Sequence, residues 1–574
     1  MAARFLVDLL AFALLGCLWW PPDIAAAGPP PLDRLLLSGV IRDSQGRELK
    51  DVRVEVTVEG KPLTAEGGEI ITGRHGSFAA EFMLPAGTLP ATRVDIKARK
   101  PGFVPLSARF DHLVEARREP SGSRVFQASQ VFIMERRWTP AAWIAAGTLV
   151  AVYALITADW LHRTLAASLG AAVILFISYT AGTFNEDFFV LSFEDAVSAI
   201  DMNVILLLLG MMVMVAVLKK SGLFRWLAYQ AYALARGRVL FLVVFLMLFT
   251  AAASAFIDNV TVMLLVIPVT IEIAVPLKVN PTAFLIPEVF AANLGGTASL
   301  IGDPPNLLIG SYAKLSFVDF LANLGGIVLV CLLVSAIYYF FWYRPVYRRV
   351  FDLDFGRTLD FLKREYRIRD QWLLVTSLII LAAVLALFLV HHLLGMPPAV
   401  AALVGAISLL ALSRQDIASL LEKEVEWPTL LFLIALFILI EGTRASGVTQ
   451  TVADRVAQIA QGNVLLALTL VLWLAVLASC LVETVAFTAA MLPIVSHLTG
   501  TIPGAETGVL WWTLALGASL GGNGTLMGAA ANVVTVGLAE KAGYRISFLE
   551  YSKSCFIPMV ITVLLAMAYL VAAF

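Results

Sequence analysis

Residues 256–268 read FIDNVTVMLLVIP, an apolar run broken by Asp258, Asn259 and Thr261, and residues 293–306 read NLGGTASLIGDPPN. Whether such stretches are oddities or the heart of the molecule depends on the solvent around them. Of the 574 residues, 59% are hydrophobic and 14% charged, and the mean hydropathy is +0.85. A chain this apolar is a polytopic membrane protein, not a water-soluble globule. An acidic side chain at the bilayer centre costs roughly 2.5–3.5 kcal/mol even on insertion scales, so Asp258 is expected to face a cavity or a partner.

From Trp138 onward the chain is a series of apolar segments, several of them shorter than the roughly 20 helical residues that cross a bilayer. Short pieces at membrane depth predict broken or re-entrant helices. An internal repeat accounts for them. At an offset of 225, SAFIDNVTVMLLVIP (254–268) falls on SCLVETVAFTAAMLP (479–493), so Asp258 meets Glu483, Asn259 meets Thr484 and Pro268 meets Pro493. At an offset of 226, NLGGTASLIGDPPN falls on SLGGNGTLMGAAAN (519–532), matching Gly295-Gly296 with Gly521-Gly522, Gly302 with Gly528 and Asn306 with Asn532. The expected fold is all-α and polytopic, with transport repeats at 141–343 and 371–574, re-entrant hairpins at 239–274 and 463–498, and helices broken at the midplane.

Ahead of the repeats, residues 33–136 alternate with period two in VRVEVTVEG, GSFAAEFML, TRVDIKARK and QVFIMERR, which predicts a small β-sandwich. Residues 1–28 have a basic residue, an apolar run and a small-residue site near Ala25–Ala27, the layout of a signal peptide or signal anchor that places the sandwich outside the cytoplasm.

The net charge of −1 says nothing about partners, and nothing in the sequence points to nucleic acid. The placement of basic residues is informative instead. Loops 219–238 and 344–370 are rich in Lys and Arg, which predicts them cytoplasmic with 541–553, whereas 184–202 is acidic and predicted outside with 444–462. The two copies then run in opposite directions, the architecture of secondary transporters that alternate access to a midplane site.

Asp258 has no Lys or Arg in its own hairpin, so its expected partner is a transported cation or a proton, and the two compete for one carboxyl group. Unwound backbone at Gly295, Gly296 and Gly302–Asp303 exposes carbonyls that are tolerated only where they line a cavity. Pro304 and Pro305 stop the helix, and the glycines let backbone approach a ligand. Asn259, Asn293, Asn306, Asn523 and Asn532 supply amide oxygens suited to a hard cation such as sodium. The expected site is therefore Asp258, Asn259, Thr261, Asn293, Gly295, Gly296, Gly302, Asp303, Pro304, Pro305 and Asn306 with Glu483, Thr484, Gly521, Gly522, Asn523, Gly528 and Asn532. Glu272 and Glu441 are placed near membrane faces, Glu288 has no polar counterpart, and all three stay outside it.

Enzymatic readings fail. Gly517-Ala518-Ser519-Leu520-Gly521 matches G-x-S-x-G but sits in an apolar helix with no strand before it. No HExxH or GxxxxGK occurs, His75 and His112 lack metal spacing, and Cys17, Cys331, Cys480 and Cys555 show no paired spacing. No cofactor is expected beyond a bound sodium ion at the hairpin-tip and broken-helix sites.

The stretches SAFIDNVTVMLLVIPVTIEIA, NLGGTASLIGDPPN, EWPTLLFLIALFILIEG and LGGNGTLMGAAANVV resemble signatures of the ion transporter superfamily. The likeness covers about 160–570, and the superfamily includes P protein-like transporters, NhaD-type antiporters, arsenite permeases and citrate or dicarboxylate transporters. It implies inverted repeats, re-entrant hairpins and a homodimer. Dicarboxylate carriers of the superfamily have Ser-Asn-Thr at each tip, where this chain has Asp258-Asn259-Val260 and Glu483-Thr484-Val485, and carboxylates there would repel a dicarboxylate. The expected function is a sodium- or proton-coupled antiporter in which Asp258 and Glu483 hold the ion. The alternatives are an anion carrier for citrate, a dicarboxylate or arsenite, and a membrane-anchored sensor that reads ligands through the sandwich.

Overall fold

The computed structural model describes residues 32–574 apart from 44–45, 47, 60, 66–67, 74, 86–92, 101, 119–123, 136, 159, 237, 348–354 and 414. The signal or anchor expected at 1–28 lies outside the described residues. The chain divides at Arg137 into two compact units.

In the first unit, alternation has become two sheets. Strand β1 (Leu32–Asp43) pairs antiparallel with β5 (Ser77–Pro85) and parallel with β9 (Arg124–Met134), and β8 (Val114–Arg118) closes that sheet. In the second sheet β2 (Arg53–Val58) lies between β3 (Lys61–Pro62) and β6 (Val94–Arg99), β7 (Leu106–Arg109) follows β6, and β4 (Ile70–Ile71) also pairs with β2. Val54, Val56, Ile96 and Ala98 point inward while Arg53, Glu55 and Lys97 stay in solvent. The inward set packs with Leu35, Leu37, Phe82 and Phe132 of the other sheet into one core, as expected of a sandwich.

The second unit is helical. Its first half contains α1 (Pro140–Thr157), α2 (Arg163–Tyr179), α3 (Met202–Lys220), α4 (Leu223–Ala235), α5 (Val239–Ser254), α6 (Asn259–Ala274), α7 (Thr282–Thr297), α8 (Pro304–Ala313) and α9 (Phe317–Trp342). Its second half contains α10 (Gln371–Leu394), α11 (Pro398–Ser413), α12 (Trp427–Ala445), α13 (Val448–Ala460), α14 (Val464–Leu481), α15 (Thr484–Thr501), α16 (Val509–Gly521), α17 (Ala530–Lys541) and α18 (Phe548–Ala573). Among the described residues, nine helices are long and apolar enough to cross a membrane, while α5, α6, α11 and α16 are apolar but shorter.

The halves match in detail. Gly222 (φ 88°) and Gly447 (φ 83°) make the same left-handed turn into α4 and α13, a conformation glycine adopts without a Cβ penalty. Asp258 (φ −49°, ψ 135°) and Glu483 (φ −56°, ψ 127°) cap α6 and α15, and Pro268 and Pro493 lie inside those helices. The stretches 223–235 and 448–460, expected as loops, are helices. Their apolar residues recur with helical rather than strand spacing, burying Phe224, Ala228, Ala231 and Tyr232 on one face of α4.

Packing interleaves the halves. Within each half α5 packs on α7 and α14 on α16, but α2 packs on α12 and α11 on α3, and α8 packs on α15 and α17 on α6. The Lys219–Glu424 ion pair (2.9 Å) sets the C-terminal end of α3 beside the chain just ahead of α12. The amide of Ala399 donates to Asn203 Oδ1 at 3.1 Å, joining the N-terminal ends of α11 and α3.

Candidate functional site

The break between α5 and α6 and the break between α14 and α15 each end on a capping carboxylate. A residue preceding a helix leaves free amides that an acidic side chain satisfies. Asp258 Oδ2 accepts from Thr261 N (3.1 Å) and Thr261 Oγ1 (3.3 Å), and Glu483 Oε2 accepts from Ala486 N (3.1 Å). Thr261, expected at the ion site, donates to the capping carboxylate through both its amide and its hydroxyl.

The second breaks, between α7 and α8 and between α16 and α17, leave carbonyls that asparagine amides satisfy. Asn306 Nδ2 donates to Gly296 O (3.3 Å), Thr297 O (3.0 Å) and Ser299 O (2.9 Å). Asn532 Nδ2 donates to Gly522 O (2.9 Å) and Thr525 O (3.0 Å), and Thr484 Oγ1 donates to Gly528 O (2.5 Å). These carbonyls are therefore engaged by the Nδ2 groups of the two asparagines, which leaves their amide oxygens facing elsewhere.

The glycines let backbone segments pack closely against one another. A Cβ on Gly295 would meet Ala251 O at 2.1 Å, one on Gly521 would meet Val476 Cα at 2.6 Å, and Gly296 and Gly302 close on each other. Gly522 and Gly528 pair in the same way. Pro305 and Asn306 are buried inside α8.

Polar side chains of both halves join between these breaks. Asn259 Nδ2 donates to Asn293 Oδ1 (3.1 Å) and Asp303 Oδ1 (3.3 Å), and Asn293 Nδ2 donates to Asn523 Oδ1 and Asn532 Oδ1 (both 2.9 Å). Ser519 Oγ donates to Asp303 Oδ2 at 2.9 Å. Ser519 occupies the position matching Asn293 in the repeat, so the serine of the discarded G-x-S-x-G run belongs to this network. Among the described residues, buried oxygens with no hydrogen-bond partner also flank the breaks: Ser254 Oγ and Asn306 Oδ1 in the first half, Ser479 Oγ in the second.

Two residues at the site escaped the sequence reading. Arg163, at the start of α2, bonds Glu483 Oε1 (3.1 Å) and Thr429 Oγ1 (3.0 Å), with its guanidinium 5.5 Å from the Phe432 ring centre. Glu426, which precedes α12 and accepts from Thr429 Oγ1 (3.3 Å), lines the same cavity. Asp258 and Glu483 are therefore not equivalent. The Glu483 carboxylate already has a resident cation, whereas Asp258 forms no ion pair among the described residues. The cavity also takes in Asn259, Asn293, Asp303, Pro304, Thr484 and Ser519. It measures about 40 Å³, room for a few waters or a partly hydrated ion.

The acids set aside stay apart from it. Glu288, wholly buried in α7, accepts from Thr270 Oγ1 at 2.9 Å. Glu272 receives the Tyr366 hydroxyl, and Glu441 pairs with Arg444 at 2.7 Å. His497 pairs with Asp454 at 3.0 Å, remote from Ser519 in partnership as in sequence.

Membrane-length apolar helices in two matched sets, closed around a buried polar cavity, define an integral membrane transporter. The chain belongs to the citrate transporter family, whose profile matches residues 153–517. It is 38% identical over 431 residues to a 46 kDa membrane protein of Mycobacterium leprae, covering 74% of this chain and 97% of that one. It is 37% identical over 433 residues to an uncharacterized transporter of Mycobacterium tuberculosis, with the same coverage of 74% and 97%. With the human P protein it shares 34% identity over 509 residues, 75% of this chain and 60% of that one. These relatives agree with membership of the ion transporter superfamily.

Proposed function

We propose that the protein is a cation-coupled secondary transporter, an antiporter in which Asp258 exchanges a proton and a hard cation such as sodium. One observation carries the reading: the cavity is lined by four carboxyl groups, on Asp258, Asp303, Glu426 and Glu483, and by a single guanidinium, on Arg163. Two like charges 4 Å apart repel by about 4 kcal/mol at an effective dielectric constant of 20, so the surplus of acid favours protons or cations and opposes a dicarboxylate. Because Arg163 neutralises Glu483, Asp258 with Asn259 and Asp303 forms the exchanging site and the second half contributes a fixed one.

Inverted repeats supply the mechanism. The C-terminal end of α3 beside the start of its counterpart α12 supports opposed directions, as does the alternation of basic and acidic loops. In this reading α4 faces the cytoplasm, α13 and the β-sandwich face outward, the membrane is the inner one of a bacterial cell, and the molecule works as a homodimer in lipid.

A second reading, an anion carrier for citrate, another dicarboxylate or arsenite, draws on the family and on Arg163 as a guanidinium suited to carboxylates. Proteoliposome flux decides between them, with sodium, pH and citrate varied independently. Antiport predicts proton movement driven by a sodium gradient without citrate, and its loss in Asp258→Asn at an unchanged elution profile. Citrate uptake that persists in Asp258→Asn, with no cation-driven proton movement in the wild type, would overturn the proposal.

A further inference from the structure

A second cavity, of about 290 Å³, lies away from the central site, where the foot of α6 meets the end of α3, the start of α4 and the turn ahead of α10. Four basic side chains line it, Lys219, Lys220, Arg225 and Arg369, against two acids, Glu272 and Glu424. Lys219 is committed to Glu424 at 2.9 Å, and Glu272 takes the Tyr366 hydroxyl. Among the described residues Lys220, Arg225 and Arg369 have no ion pair. A tyrosine hydroxyl is neutral, so Glu272 keeps its charge, but one carboxylate against Lys220, Arg225 and Arg369 leaves the cavity with a net positive charge and three cations that repel one another.

The backbone holds them there. Gly222 turns the chain between Lys220 and Arg225 with φ +88°, and a Cβ on it would press on Arg367 O at 3.2 Å. Arg369 N donates to Ser221 O at 3.0 Å, so the turn carrying Arg369 is pinned over the end of α3. The floor is apolar, formed by Leu265, Pro268 and Val269 of α6, and Leu264 beside them is 39% exposed. A charged rim over an apolar floor that opens at the surface of a membrane helix suits an anionic head joined to a hydrocarbon tail.

We infer that this cavity binds a phosphate-bearing anion, clamped by Lys220, Arg225 and Arg369. Guanidinium groups match phosphate in bidentate geometry, and the ammonium adds a point charge. The anion would tie the foot of α6 to α3 and α4. Because α6 starts at the Asp258 cap and runs on through Pro268 to the cavity, the bound anion holds one end of the helix whose other end carries the proposed ion site. The inference does not depend on which solute is carried.

The test uses purified full-length protein and two probes. Phosphatidylglycerol is titrated against phosphatidylcholine by native mass spectrometry, and inorganic phosphate is titrated by thermal shift at constant ionic strength, with chloride as its control. At least one probe should bind the wild type ten or more times more tightly than Lys220→Gln/Arg225→Gln/Arg369→Gln, and the probe that does so identifies a lipid headgroup or a free phosphate as the source. Arg225→Gln alone, should the triple variant not fold, is expected to weaken binding about threefold to fivefold. Lys219→Gln, which removes a cation already paired, should leave binding unchanged. Equal binding to the wild type and the triple variant, no binding of either probe, or an equal loss in Arg344→Gln/Lys363→Gln/Arg364→Gln would overturn the assignment.

Discussion

Replacing either partner of the Arg163–Glu483 pair tests whether a resident cation occupies the break between α14 and α15. Removing one member of a fully buried ion pair costs about 3–5 kcal/mol, because the other is left charged and unpaired. Here the side chains are 22% and 10% exposed, so solvent offsets part of that loss. We expect about 2–3 kcal/mol for Glu483→Gln, which keeps the acceptor for Ala486 N and so retains the helix cap. Arg163→Gln should cost slightly more, since it also gives up the Thr429 bond and a cation–π contact of about 0.5–1 kcal/mol with Phe432. The double variant leaves no orphaned charge, so the two losses should fall short of additivity by about 2 kcal/mol. Denaturant unfolding of the four proteins in detergent, followed by tryptophan fluorescence, measures the cycle. Losses that add to within about 0.5 kcal/mol would mean that the two groups do not interact, and the distinction between Glu483 and Asp258 would fall with them.

Gly302→Ala should destabilise the protein by about 3 kcal/mol, since its Cβ would lie 2.3 Å from Ser254 O and 2.7 Å from Gly296 Cα, both backbone atoms. Gly326→Ala, with nothing within 4 Å of its Cβ, serves as the neutral control in the same melting experiment. In a cysteine-free background, Arg236→Cys and Gln461→Cys should react with a membrane-impermeant maleimide from opposite faces; labelling from one face removes the inversion. Deleting residues 32–136 should leave cation-driven flux within about twofold per correctly inserted molecule, because the sandwich has its own core. Abolished flux at normal insertion would favour a sensor.

Much of this fold is legible in sequence because the repeat is marked by residues whose type is dictated by backbone geometry. A cap carboxylate at 258 and 483, a proline at 268 and 493 and a turn glycine at 222 and 447 each satisfy a local requirement, so they line up by eye. The strands of the sandwich are legible for the same reason, as their alternation is local. Arg163 was not, since it lies 320 residues from Glu483 and only the packing of α2 on α12 brings them together. Glu426 was hidden at the edge of an apolar run, where an acid passes for a solvated helix cap, although it matches Asp201, which caps α3. The asparagine roles were only half legible. Sequence places Asn306 and Asn532 beside unwound backbone, but which end of an amide meets the carbonyls is decided by three-dimensional contact.

The interleaved packing of the helices has a consequence for how the molecule is made. Helix α2 finds its neighbour α12 only after about 250 further residues have left the ribosome, roughly 10–50 s at 5–20 residues per second. From their own synthesis until then, the inner faces of α2 and α3, and later the carboxylate at 258, lack the surfaces that cover them in the finished fold. The first half is thus an unfinished client for that time, and the linker at 344–370 sets when its missing neighbours arrive. Two separately translated halves cut in that linker therefore have every surface they need to assemble on one another, while either half alone lacks the partners of its cross-packed helices, α2, α3, α6 and α8 in the first and α11, α12, α15 and α17 in the second.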